Sequence, residues 1–112
     1  LIGCGHIAET YFRGQQYFNN FKIIACADID QKAADKCAKL YNIKPKTVSE
    51  ILKDKEIEVI LNLTIPQSHY SVSKKILNSG KHVYSEKPLA TYFAKGKELV
   101  SLAKKNKLFL SN

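Results

Sequence analysis

Gly3-Cys4-Gly5-His6-Ile7-Ala8 is the stretch that decides the fold. It reads GxGxxA, follows the apolar pair Leu1-Ile2, and opens a helical pattern. Between His6 and about Asn19, Ile7, Tyr11 and Phe18 recur on one helical face. In that setting Gly3 permits a tight turn and Gly5 lets backbone approach a pyrophosphate. Small Ala8 lets the helix pack closely on a strand. The N–H groups and dipole of the new helix favour a diphosphate there. Taken alone, the same residues are also what a turn needs for backbone geometry only.

The residues downstream favour the ligand reading. Phe21 to Ala27 is a mostly apolar run without alternation, as in a strand covered on both faces. Asp28 ends that run 20 residues after Ala8, where a carboxylate meets the adenosine ribose hydroxyls. Asp accepts two hydroxyl hydrogen bonds and repels a 2′-phosphate, which argues for NAD over NADP. Asp28 could also be a second turn acid; Asp30 is assigned to capping a helix over Gln31–Tyr41, with Ala34, Cys37, Ala38 and Tyr41 as its stripe.

Pro45 signals a loop, and Ser49 caps a short helix through Lys53. A strand over 58–64 is followed by a helix over 67–78, which Gly80 stops. His82–Ser85 is a short strand, Thr91 caps a last helix to about Lys105, and Leu108–Leu110 opens a final strand. Strands alternating with helices predict an α/β fold with a doubly wound parallel sheet. Its five strands lie near 1–2, 21–28, 58–64, 82–85 and 108–111, in the order 3-2-1-4-5.

The 112 residues, 45% apolar and 25% charged, suit one domain. No run approaches the roughly 18 apolar residues of a membrane span. The net charge of +8 raises a nucleic-acid partner, but all 18 basic residues except Arg13 are Lys, and they are scattered. Phosphate forks and base readout favour clustered Arg, so most of these lysines are read as solvated faces and no nucleic acid is expected. Cys4, Cys26 and Cys37 lie 22 and 11 residues apart with no CxxC. That spacing predicts reduced thiols in a cytoplasmic protein, with no disulfide framework and no metal site. The chain lacks Met and shows only two residues ahead of Gly3, so its first strand is expected to be clipped.

Glu86-Lys87-Pro88 follows the fourth strand, which places Lys87 at the carboxyl edge where open α/β sheets bind ligands. The residue before a proline is held extended, although a loop Lys is ordinarily solvent-facing. Three segments together, GCGHIA at 3–8, LTIPQSHY at 63–70 and GKHVYSEKPLA at 80–90, resemble the nucleotide-binding half of the Gfo/Idh/MocA (glucose–fructose oxidoreductase/inositol dehydrogenase) family. The resemblance covers essentially the whole chain and implies a Rossmann-type domain.

It further implies that Gly3, Cys4, Gly5, His6 and Ile7 wrap the pyrophosphate and that Asp28 holds the ribose. Thr64, Ile65, Pro66 and His69 would line the cofactor, and Glu86 would approach the nicotinamide. Lys87 would reach the nicotinamide ribose and a substrate hydroxyl as the catalytic residue, its bond to Pro88 often being cis. Thr64-Ile65-Pro66 departs from the Thr-Pro-Pro or Thr-Pro-Asn common in the family. Unaided, His69 reads as a capping or satisfied polar residue, and His82 as structural. The family carries a second, C-terminal α/β domain for substrate, absent from these residues, and a homo-oligomeric full-length enzyme is expected. The implied function is an NAD-dependent dehydrogenase of a sugar, polyol or related hydroxyl compound; the alternative is a non-catalytic dinucleotide-binding module.

Overall fold

A computed structural model describes residues 1–112. Leu1-Ile2 leads into helix α1 (His6–Gly14), prolonged by a 3₁₀ turn over Gln15–Tyr17. Then come β1 (Ala25–Cys26), α2 (Gln31–Tyr41), β2 (Lys44–Pro45), α3 (Val48–Lys53) and β3 (Val59–Asn62). The chain finishes with α4 (Pro66–Asn78), β4 (His82–Ser85), α5 (Phe93–Asn106) and β5 (Leu110–Ser111). No helix is long and apolar enough to cross a membrane.

All strand pairing is parallel, as expected, but it forms two sheets, β1-β2 and β3-β4-β5. Ile2 makes one parallel bridge to Ala27 and one to Asn62, and so fills the gap between the sheets. The order across the molecule is therefore β2, β1, Ile2, β3, β4, β5. This corrects the single five-stranded sheet in order 3-2-1-4-5. The place beside β1 belongs to β2, and β3 lies on the far side of Ile2.

Lys44-Pro45 reads as a loop in the sequence because proline cannot donate to a ladder. At an edge it need not. Lys44 and Lys46 donate to Ile24 and Cys26 carbonyls at 3.3 and 2.8 Å, and the missing N–H of Pro45 falls on the outer side. The strand expected over 21–28 shrinks to Ala25–Cys26, since a ladder needs neighbours. The Ile23 N–H goes instead to the Gln15 side chain at 3.0 Å.

Two cores form, one on each side of the strands. Ile51, Ile60, Ile76, Leu77, Val83 and Leu99 join α3, α4 and α5 to one face. Leu1, Ala8, Phe12, Cys26, Cys37 and Leu63 join α1 and α2 to the other. Phe12 and Tyr41 stack at 3.7 Å between ring centroids and lock α1 to α2. Covering is uneven: Val59 and Tyr84 stay exposed on the face opposite Ile60 and Val83.

Caps set the helix boundaries. Asp30 accepts from the Lys32 N–H at 2.9 Å and starts α2, as expected. Thr47, not Ser49, caps α3, in a reciprocal box with Glu50. Tyr92, not Thr91, precedes α5, with no side-chain cap. One lysine departs from the solvated reading: buried Lys81 donates to the Asp54 and Ile57 carbonyls, both at 2.6 Å.

Candidate functional site at the carboxyl ends of the strands

The glycine loop, Asp28, Thr64 and the Glu86-Lys87-Pro88 segment each follow a parallel strand or the Ile2 bridge residue, so all gather at one edge. Gly3 is buried at φ +100°, and a Cβ there would stand 2.5 Å from the Leu63 carbonyl oxygen. Only glycine allows both that conformation and that approach. Gly5, at φ −74°, is the N-cap of α1, with nothing within 4 Å of where its Cβ would be. The absent side chain there leaves open space over a helix start that no side chain caps. His6 and Ile7 are exposed beside it.

Asp28 is half-buried and fixed by backbone: Oδ2 accepts from the Cys4 N–H at 2.6 Å and Oδ1 from the Asp30 N–H at 2.9 Å. The carboxylate thus ties the glycine loop to the end of β1, and each oxygen keeps a lone pair. Cys4 turns its sulfur inward, 3.5 Å from the Ala27 carbonyl, so neither its side chain nor its N–H faces outward.

A second cluster joins the next two strand ends. His69 is buried at 1% exposure, with Nδ1 2.6 Å from the Pro88 carbonyl and Nε2 2.7 Å from the Thr64 carbonyl. A neutral imidazole donates from one nitrogen only, so the tautomer decides which of the two carbonyls receives the hydrogen bond. Buried Asn62 donates to the His69 carbonyl and to Ser73 Oγ, both at 2.9 Å, and accepts from the Thr64 hydroxyl at 2.7 Å. Asn62 and Ser73 are site-supporting residues that sequence reasoning missed. The available signal was an Asn inside an otherwise apolar strand run. Ile65 is an extended N-cap and Pro66 the first residue of α4, which gives the Thr-Ile-Pro departure an ordinary helix start. Both are exposed.

Glu86 is held from α1: the Tyr11 hydroxyl donates to its Oε1 at 2.7 Å. Burial, then this carboxylate, pushes the Tyr11 hydroxyl pKa up, so Tyr11 remains a donor. Lys87 is exposed, its ammonium in no ion pair, and its bond to Pro88 is cis. His82 accepts from the Phe109 N–H at 3.0 Å, a structural role between β4 and β5.

A cavity of about 870 Å³ runs along the less covered sheet face past Val59, Leu61 and Tyr84. Of the predicted site residues only Ile7 and Glu86 line it, so it is not the glycine-loop site.

The residues present fit a dinucleotide: open space over Gly5, an uncapped helix start, and a fixed carboxylate at the neighbouring strand end. Fold and loop together define a Rossmann-type α/β domain. The chain belongs to the Gfo/Idh/MocA oxidoreductase family with an NAD-binding Rossmann fold, whose family model matches residues 1–112. It is 37% identical over 92 residues to a Xenopus laevis trans-1,2-dihydrobenzene-1,2-diol dehydrogenase, covering 80% of this chain and 28% of that protein. It is 26% identical over 110 residues to an inositol 2-dehydrogenase of Salmonella paratyphi B, covering 95% and 33%. Among solved structures, biliverdin reductase from Synechocystis with biliverdin and NADP+ superposes with a TM-score of 0.89 at 27% identity, covering 98% of this chain and 35% of that one. The chain thus spans about a third or less of the length of these relatives.

Proposed function

We propose that this chain is the cofactor domain of an NAD-dependent dehydrogenase acting on a sugar, polyol or related hydroxyl compound. The observation that carries the reading is the Asp28 carboxylate, held 2.6 Å from the Cys4 N–H of the glycine loop. That position suits adenosine ribose hydroxyls and repels a 2′-phosphate. The N–H groups at the start of α1, with open space over Gly5, hold the diphosphate. Thr64, Ile65 and Pro66 line the nicotinamide half and Glu86 borders it, while buried His69 supports the Thr64 and Pro88 turns from behind instead of lining the cofactor itself.

When bound, the nicotinamide supplies the hydride acceptor. Lys87, free of ion pairs, directs its ammonium to the cofactor ribose and the substrate hydroxyl. A cation there stabilises the alkoxide character that develops on the substrate oxygen. The proton acceptor and most of the substrate pocket are assigned to a C-terminal α/β domain, in keeping with relatives about three times as long. A homo-oligomer in the cytoplasm completes the proposal, supported for compartment by three free thiols.

Calorimetric titration with NAD and with NADP tests the cofactor assignment. Tighter binding of NAD is the expected result, and equal or tighter binding of NADP overturns it.

A further inference from the structure

Cys4, Cys26 and Cys37 belong to three different elements: the glycine loop, β1 and α2. They are the only cysteines of the chain, and all are free thiols. The fold brings their Sγ atoms within 4.8 Å of one another. Cys26 and Cys37 are buried and Cys4 is half-buried. Their present partners are weak: Cys4 Sγ lies 3.5 Å from the Ala27 carbonyl and Cys26 Sγ 3.4 Å from the Ala34 carbonyl.

We propose that these three thiols form a site for one soft cation of low coordination number, monovalent copper being the type. Metal–sulfur bonds of about 2.3 Å place three sulfurs of a trigonal plane roughly 4.0 Å apart. From separations of at most 4.8 Å, each sulfur reaches that geometry by moving about half an ångström or less. The cluster contains no carboxylate or imidazole, so its side-chain donors are three soft sulfurs. Structural zinc wants four ligands, whereas thiolate donors select monovalent copper. Leu1, Ala8, Phe12, Ile23, Ala38 and Leu63 pack in the same core and surround the sulfurs with apolar groups.

On binding, three S–H bonds break, three sulfur–metal bonds form, and three protons leave to solvent. Burial pushes the Cys4 and Cys26 thiol pKa values up, which disfavours their thiolates while no ion is bound. Binding of the ion requires no dinucleotide, so its test stands apart from the proposed function.

The test is anaerobic titration of the protein with Cu(I) against a chromophoric Cu(I) chelator, together with X-ray absorption at the copper edge. One Cu(I) per chain with three sulfur ligands is expected. Cys4→Ser, Cys26→Ser and Cys37→Ser should each weaken binding by more than the roughly 10- to 100-fold lost with an outer-shell partner. Circular dichroism establishes which variants fold, and half-buried Cys4→Ser is the mildest. The absorption measurement needs no variant. Coordination by two sulfurs or by nitrogen and oxygen overturns the proposal, as does a folded Cys4→Ser protein that holds copper like the parent.

Discussion

Adding one methyl group at Gly3 and one at Gly5 should separate folding from ligand binding within a single loop. In Gly3→Ala the new Cβ meets the Leu63 carbonyl oxygen at 2.5 Å, its carbon at 2.6 Å and the Thr64 nitrogen at 2.8 Å. These are backbone atoms held in place, the Leu63 N–H being bonded to the Ile2 carbonyl at 2.8 Å. An L residue at φ +100° costs about 1–3 kcal/mol. Overpacking adds about 1–3 kcal/mol. A loss of about 2–6 kcal/mol is a large part of a total stability of roughly 5–15 kcal/mol. In Gly5→Ala the Cβ meets nothing within 4 Å, and φ is −74°. Its cost is the poorer N-cap, about 1 kcal/mol or less. The methyl group occupies the space over the helix start, so NAD affinity should fall by at least ~1.5 kcal/mol, the loss of one hydrogen bond to a charged group. Urea unfolding followed by circular dichroism measures the first quantity, and calorimetric titration with NAD the second. A Gly3→Ala protein as stable as the parent refutes the packing argument. A folded Gly5→Ala protein with parental NAD affinity refutes the placement of the ligand.

Asp28→Ser should weaken NAD binding by about 1.5–3 kcal/mol in calorimetry, because hydrogen bonds to a charged acceptor and the tie to Cys4 are both lost; unchanged affinity counts against the ribose role. Lys87→Ala in the full-length oxidoreductase should lower kcat roughly 100-fold or more while cofactor affinity changes little, since its charge acts mainly in the transition state. Near-normal stopped-flow hydride transfer would exclude that role.

Local geometry was the legible part of this chain. GxGxxA marks a turn and a helix start by residue size alone, and Asp30 two residues before Lys32 is a cap that needs no tertiary knowledge. The spacing from Ala8 to Asp28 fixes a carboxylate at a strand end once the strand is accepted. Lys44-Pro45 was illegible because an exposed two-residue edge strand buries nothing and so has no apolar signature. The strand order failed with it, since one uncounted strand shifts every later neighbour. The glycine-loop contact to Asp28, the His69 cluster and the convergence of three cysteines are long-range facts. Neither a period nor a motif records which N–H, carbonyl or thiol the folded chain will bring alongside. Asn62 was visible as a polar residue in an apolar run, but its partners Thr64, His69 and Ser73 become neighbours only when α4 turns back on β3.

His69 also bears on motion. Its two ring nitrogens lie against carbonyls from two separate loops, Thr64 after β3 and Pro88 after β4. Loops on adjacent strands ordinarily fluctuate independently, each on its own timescale. Here a displacement of one carbonyl stretches a bond whose other end is anchored in the second loop, with the ring itself buried at the start of α4. The lysine-bearing segment and the threonine turn are therefore linked through one buried ring. Whatever ligand settles against either loop restricts both, and the entropy of ordering them is spent once.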